Sequence, residues 1–126
     1  FGGRLNETLK AAENLSKKGV PITVVDARFA KPLDENLIWQ LATTHEAIMT
    51  IEEGSIGGFG SHVVNFLTKK GLMDSNLKFR SLTLPDIFID QDTPDRMYKV
   101  ANLDSVSIEE KVLDLLNSNI VLKKQN

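Results

Sequence analysis

An α/β fold, three-layered with a mostly parallel sheet flanked by helices, follows from three features of the sequence. Helical and extended patterns alternate from end to end, which implies right-handed crossovers and strands that run parallel. The run Ile22-Thr23-Val24-Val25 is rich in β-branched residues and reads as a strand buried on both faces. A second apolar run, Ala47-Ile48-Met49-Thr50-Ile51, passes directly into Glu52, Glu53 and a loop with four glycines in the seven residues from Gly54 to Gly60.

Each element has its own signature. Leu5, Leu9, Ala12 and Leu15 recur at helical spacing, Lys17 and Lys18 suit the negative end of a helix, and Gly19 suits a left-handed cap. Asp34 caps a second helix whose inner face is Leu37, Ile38, Leu41 and Ala42, with Leu33 and Ile38 placed as a hydrophobic staple. Beyond the glycine loop, Val63, Val64, Phe66 and Leu67 line a third helix that ends at Lys69, Lys70 and Gly71. Phe79 to Leu84 forms a further strand, stopped by Pro85. Ser107 and Glu110 make a capping box for a last helix with Ile108, Val112, Leu115 and Leu116 on its apolar face, and residues 117–126 read as a frayed tail. The sequence opens on the turn before its first helix. A fold of this kind carries a buried strand ahead of that helix, so the first strand is expected to be missing or truncated and the chain to be a fragment of a longer one.

Composition bounds the function. With 126 residues and 41% hydrophobic content, residues 1–126 suffice for one domain with one core. Fifteen basic and 17 acidic side chains give a formal charge of −2 without a basic stripe, which argues against a nucleic-acid partner. The absence of cysteine excludes a disulfide framework and any thiolate ligand or nucleophile. No apolar run approaches the roughly 20 residues of a membrane span, and the start Phe1-Gly2-Gly3-Arg4 does not read as a signal peptide. A reducing, aqueous compartment is the expectation.

The glycine loop could face phosphate or protein. A Walker A loop needs a Lys that is absent here, and Gly58-Phe59-Gly60 continues with Ser61, His62 and Val63 rather than completing a dinucleotide fingerprint. Glu52 and Glu53 would also repel a polyphosphate. The glycine density therefore favours a loop packed at an interface, with Gly54, Gly57, Gly58 and Gly60 as its structural residues. Paired carboxylates can perform acid–base chemistry. Adjacent residues of an extended chain point opposite ways, however, so the expectation is that one Glu meets the helix N-terminus while the other pairs with Arg28 or a partner chain. Asp26-Ala27-Arg28 closes the first strand at the sheet edge where function collects, with an ion pair between Arg28 and the acidic loop as the structural alternative. His45 and His62 lack a second His or a Cys at ligand spacing. Asp86, Asp90, Asp92 and Asp95, interrupted by Pro85, Phe88 and Pro94, read as solvated surface rather than a cation loop. Nothing forms a catalytic triad.

Order and spacing of these motifs carry a resemblance over roughly the first hundred residues. Asp26-Ala27-Arg28-Phe29-x-Lys31-Pro32-Leu33-Asp34, His45-Glu46, the run from Glu52 through Ser61-His62-Val63, Leu84-Pro85-Asp86 and Ile89-Asp90 resemble the C-terminal domain of the 1-deoxy-D-xylulose 5-phosphate synthase family. Glu-Glu-Gly and Gly-Phe-Gly alone would indicate only the wider transketolase C-terminal superfamily, which includes the β-subunits of pyruvate dehydrogenase-type enzymes. Ala30 departs from the Cys often found in the synthases, and the stretch after Leu116 matches no part of the pattern.

The resemblance implies a homodimeric transferase that uses thiamine diphosphate and Mg²⁺ to condense pyruvate with glyceraldehyde 3-phosphate, losing CO₂. Its product feeds non-mevalonate isoprenoid and thiamine biosynthesis, in the bacterial cytoplasm or a plastid-type organelle. In that family two other domains hold the cofactor. No Gly-Asp-Gly run with a downstream Asn for the metal and diphosphate stands in this sequence. The chain alone is therefore expected to have no catalytic, cofactor-binding or metal-binding residues. Its partners would be the other domains of the same enzyme and a second subunit, with Asp26, Arg28, Glu52, Glu53, Gly54, Gly57, Gly58, Gly60, Ser61 and His62 as interface or structural candidates. The alternatives are the C-terminal domain of a pyruvate dehydrogenase-type β-subunit, or a self-standing α/β binding or signalling module with Asp26 as phosphoacceptor.

Overall fold

Two parallel strands pair in register, Ala47 opposite Lys78 through Ile51 opposite Leu82, and helices cover both of their faces. The computed structural model describes residues 4–27, 33–53, 58–83, 96, 99 and 102–125, with side chains as far as residue 117. Within these the order is α1 (Leu5–Lys17), α2 (Glu35–Thr44), β1 (Ala47–Ile51), α3 (Phe59–Lys69), a 3₁₀ turn (Leu72–Asp74), β2 (Lys78–Leu82) and α4 (Ser105–Gln125). The α/β class expected from the alternation is the one observed.

Strand geometry sorts the core into two clusters, because alternate side chains of a strand point to opposite faces. Met49, Ile51 and Leu82 share one face and pack with Ala11, Leu103 and Ile108, under α1 and α4. On the other face Phe79 joins Ile38, Phe59, Val63, Phe66 and Leu67, under α2 and α3. Leu67 is wholly buried. Truncating such a leucine to alanine costs about 2–5 kcal/mol, which makes α3 the best-anchored helix of the second cluster.

Several local expectations hold in the coordinates. Asp34 Oδ1 accepts the Leu37 N–H at 3.1 Å and starts α2, while Leu33 and Ala42 pack against the Ile38 cluster. Gly19 and Gly71, just past the ends of α1 and α3, have φ of 83° and 71°, the left-handed values that a side chain disfavours.

Others are corrected. Leu9 is exposed, because the inward stripe of α1 runs through Arg4, Thr8, Ala11 and Leu15 at spacings of four and three. Residues 22–25 are half-buried apart from exposed Thr23, but they belong to no sheet ladder among the described residues. Their β-branched composition favours a strand, yet a strand exists only when a neighbour pairs with it. The last helix begins at Ser105, so Ser107 lies inside its first turn and cannot be its cap. The cap comes instead from α1: Glu7 Oε2 accepts the Ser105 N–H at 2.8 Å. Nearby, Lys18 Nζ donates to Glu109 Oε1, a second polar tie between the two helices. The α4 backbone runs to Gln125. The further strand expected at 79–84 is found at Lys78–Leu82; Leu84, its stop Pro85 and the aspartates from Asp86 to Asp95 lie outside the described residues.

Candidate functional site at the carboxyl end of the sheet

Glu52 follows β1 directly and remains 3% exposed. Its N–H donates to Leu82 O at 3.0 Å, which carries the β1–β2 pairing one step past the strand. Its side chain turns to the first residues of α3. Oε1 accepts the Phe59 N–H at 3.0 Å and Oε2 accepts the Gly60 N–H at 2.6 Å. Gly58, the residue before α3, has no side chain to cap these donors, so the strand supplies what the helix start lacks. The positive end of the helix dipole lies at the same point and favours an acidic group there.

One layer below, Thr50 and Ser81 stand opposite each other in the register, and Thr50 Oγ1 donates to Ser81 Oγ at 3.1 Å. Gly60 rests on this pair. A Cβ built on Gly60 would overlap Ser81 Oγ and lie 2.7 Å from Thr50 Oγ1 and 3.1 Å from Ser81 Cβ. Of the loop's glycines, Gly60 is thus one that a close approach demands. Gly58 has a φ of −86°, so no left-handed backbone requires glycine there.

Glu53 turns the other way and takes Arg4 Nε at 3.2 Å, with 41% of its side chain exposed against 11% for Arg4. Of the two roles expected for the pair, the one at the helix N-terminus is taken by Glu52, while Glu53 meets Arg4, at the start of α1. Arg28, Gly54 and Gly57 lie outside the described residues. Asp26 is exposed at the end of the 20–27 segment. Ser61 is exposed and His62 half-buried on the first turn of α3. His45 closes α2: its Nε2 lies 3.0 Å from Thr23 Oγ1, a contact that ties the 20–27 segment to the α2–β1 junction, and its Nδ1 lies 2.9 Å from Thr44 Oγ1.

This geometry limits the chemistry. The Phe59 and Gly60 N–H groups that an anion would need are taken by Glu52, so the start of α3 is not a free phosphate cradle. Among the described residues no three His, Cys, Asp or Glu gather as a metal site. No helix among them is long and apolar enough to cross a membrane.

Sequence reasoning missed Arg4, Glu7, and the Thr50–Ser81 pair on which Gly60 sits. The first two act across 49 and 98 positions, separations that local patterns do not carry. The third had a signal in hindsight: small residues at 50, 60 and 81 on three successive elements mark a close approach.

A wide groove lies beside β1. It measures about 880 Å³ and is lined by residues 20–27, β1 and inward faces of all four helices. Compared with known proteins, residues 1–108 match the family model described as transketolase, C-terminal domain.

Proposed function

The chain belongs to the transketolase C-terminal domain family, and from that premise we propose that it is the non-catalytic C-terminal domain of a 1-deoxy-D-xylulose 5-phosphate synthase. Domains of this family work within multidomain or oligomeric enzymes, and the family is generally thiamine diphosphate-dependent. The full enzyme would join pyruvate to glyceraldehyde 3-phosphate with loss of CO₂, using thiamine diphosphate and Mg²⁺ held by its other domains. This domain would complete the fold and back the homodimer.

The observation that carries the non-catalytic role is the use of Glu52. Both of its side-chain oxygens accept backbone N–H groups of α3, in a site 3% exposed. A general acid or base must reach a substrate proton. A side chain that is buried and spent on a helix start serves the loop's shape instead. Asp-Ala-Arg-Phe-x-Lys-Pro-Leu-Asp, from Asp26 to Asp34, supports the narrower synthase assignment over the wider superfamily.

The test is an assay of the full-length protein with thiamine diphosphate, Mg²⁺ and pyruvate. CO₂ release that depends on added glyceraldehyde 3-phosphate supports the synthase. Acyl transfer to a lipoyl acceptor would instead assign a pyruvate dehydrogenase-type subunit. Phosphorylation at Asp26 without either activity would assign a signalling module.

A further inference from the structure

We infer that His45 is a latch held in one tautomer: Nδ1 carries the ring proton, and Nε2 accepts the Thr23 hydroxyl, which fastens the 20–27 segment to the start of β1. The hydrogen-bond capacity of each atom around the ring decides this. Leu41 O lies 3.1 Å from Nδ1 and also accepts the His45 backbone N–H at 3.0 Å. A carbonyl oxygen only accepts, so Nδ1 bonds to it only as N–H. Thr44 Oγ1 lies 2.9 Å from Nδ1 and donates its one proton to Gln40 O at 2.7 Å. With that proton spent, the hydroxyl meets Nδ1 as an acceptor. Two oxygens thus call for a proton on the same nitrogen.

The other side of the ring follows. A neutral imidazole has a single N–H, so Nε2 is left with a lone pair. Thr23 Oγ1, 3.0 Å away, supplies the donor. The opposite tautomer would set the Nδ1 lone pair against Leu41 O, and Thr44 would have to turn from Gln40 O to serve it.

Position gives the bond its meaning. His45 stands between the end of α2 at Thr44 and the start of β1 at Ala47. The 20–27 segment belongs to no ladder among the described residues. Its first residue is tied to α1, where the Val20 N–H donates to Leu15 O at 2.9 Å. Thr23 ties its middle to the α2–β1 junction. The segment and β1 line the same groove, so the His45 ring sets the spacing of these two walls at the end where β1 begins. Thr23 and His45 are both exposed. One hydrogen bond of this kind shifts a local opening equilibrium by about three- to tenfold.

The test uses the full-length protein at about pH 8, where an ordinary imidazole is neutral. Ring-nitrogen NMR shifts of histidine-labelled protein, assigned by their loss in His45→Asn, should show a protonated Nδ1 and a bare Nε2. A protonated Nε2 with a bare Nδ1 would overturn the latch. Amide hydrogen exchange is the second arm. Thr23→Val removes only the hydroxyl, while His45→Asn keeps an N–H near the place of Nδ1 and leaves nothing at Nε2. Each should speed exchange at residues 22–25 by about three- to tenfold. The double variant should be no faster than either single one, because both remove the same bond. Unchanged exchange in either single variant, or effects that multiply in the double one, would equally overturn the latch.

Discussion

Glu52 Oε2 accepts the Gly60 N–H at 2.6 Å, and the two residues lock the end of a strand to the beginning of a helix. Neither works without the other. Glu52 reaches the helix only because Gly60, lacking a side chain, lets α3 settle onto Thr50 and Ser81.

Glu52→Ala should destabilise the domain by about 2–4 kcal/mol, since two buried N–H donors lose their acceptors together. Glu53→Ala should cost less than about 1 kcal/mol, because its pair with Arg4 is partly open to water. Chemical denaturation of the two variants separates these neighbours. Equal losses would mean that the Glu52 side chain is not the cap it is taken to be.

Gly60→Ala should cost about 1–3 kcal/mol by overpacking against Ser81 and Thr50. Ser81→Ala in the same protein should recover part of this and no more, because Ser81 Cβ still lies 3.1 Å from the new methyl. A double-mutant cycle gives the coupling. Strict additivity of the two losses would contradict the contact.

Glu7 gives the fold a pH dependence with a defined sign. Burial works against its charge, but the Ser105 N–H bond and the nearby Lys10 together outweigh burial and hold the carboxyl below its ordinary 4.5. A lowered folded-state value means stability that is present above the unfolded value and lost as pH falls through the folded one. Glu7→Gln should therefore flatten the acid limb of the stability curve below about pH 4.5. Thermal midpoints from pH 3 to 7, compared with the parent, check this; parallel curves would remove Glu7 from the α1–α4 tie.

How much of this was legible beforehand depended on the range of each interaction. Elements whose signals lie within one turn were read closely: β1 at Ala47–Ile51, the Asp34 cap and the glycines past α1 and α3. The α4 cap was misplaced because its acceptor, Glu7, sits 98 residues away. Leu9 looked like core because its spacing from Leu5 and Ala12 is helical, but the neighbouring row carrying Ala11 and Leu15 faces inward. Residues 22–25 have the composition of a strand without a described partner, and composition cannot supply one. At the site, the expectation that an acidic residue meets a helix start is realised by Glu52; Glu53 pairs with Arg4, and Arg28, expected as its partner, lies outside the described residues.

The central claim is that the acidic glycine loop shapes the domain rather than reacting. It is tested most directly by Glu52→Gln in the full-length enzyme, which keeps the size of the side chain and one of its two acceptors. Thermal midpoint and pyruvate turnover at saturating thiamine diphosphate are measured on the same preparation. A midpoint several degrees lower, with turnover per folded molecule and cofactor affinity nearly unchanged below it, is the expected result. An unchanged midpoint with turnover reduced about a hundredfold or more would contradict the account and place Glu52 in the reaction.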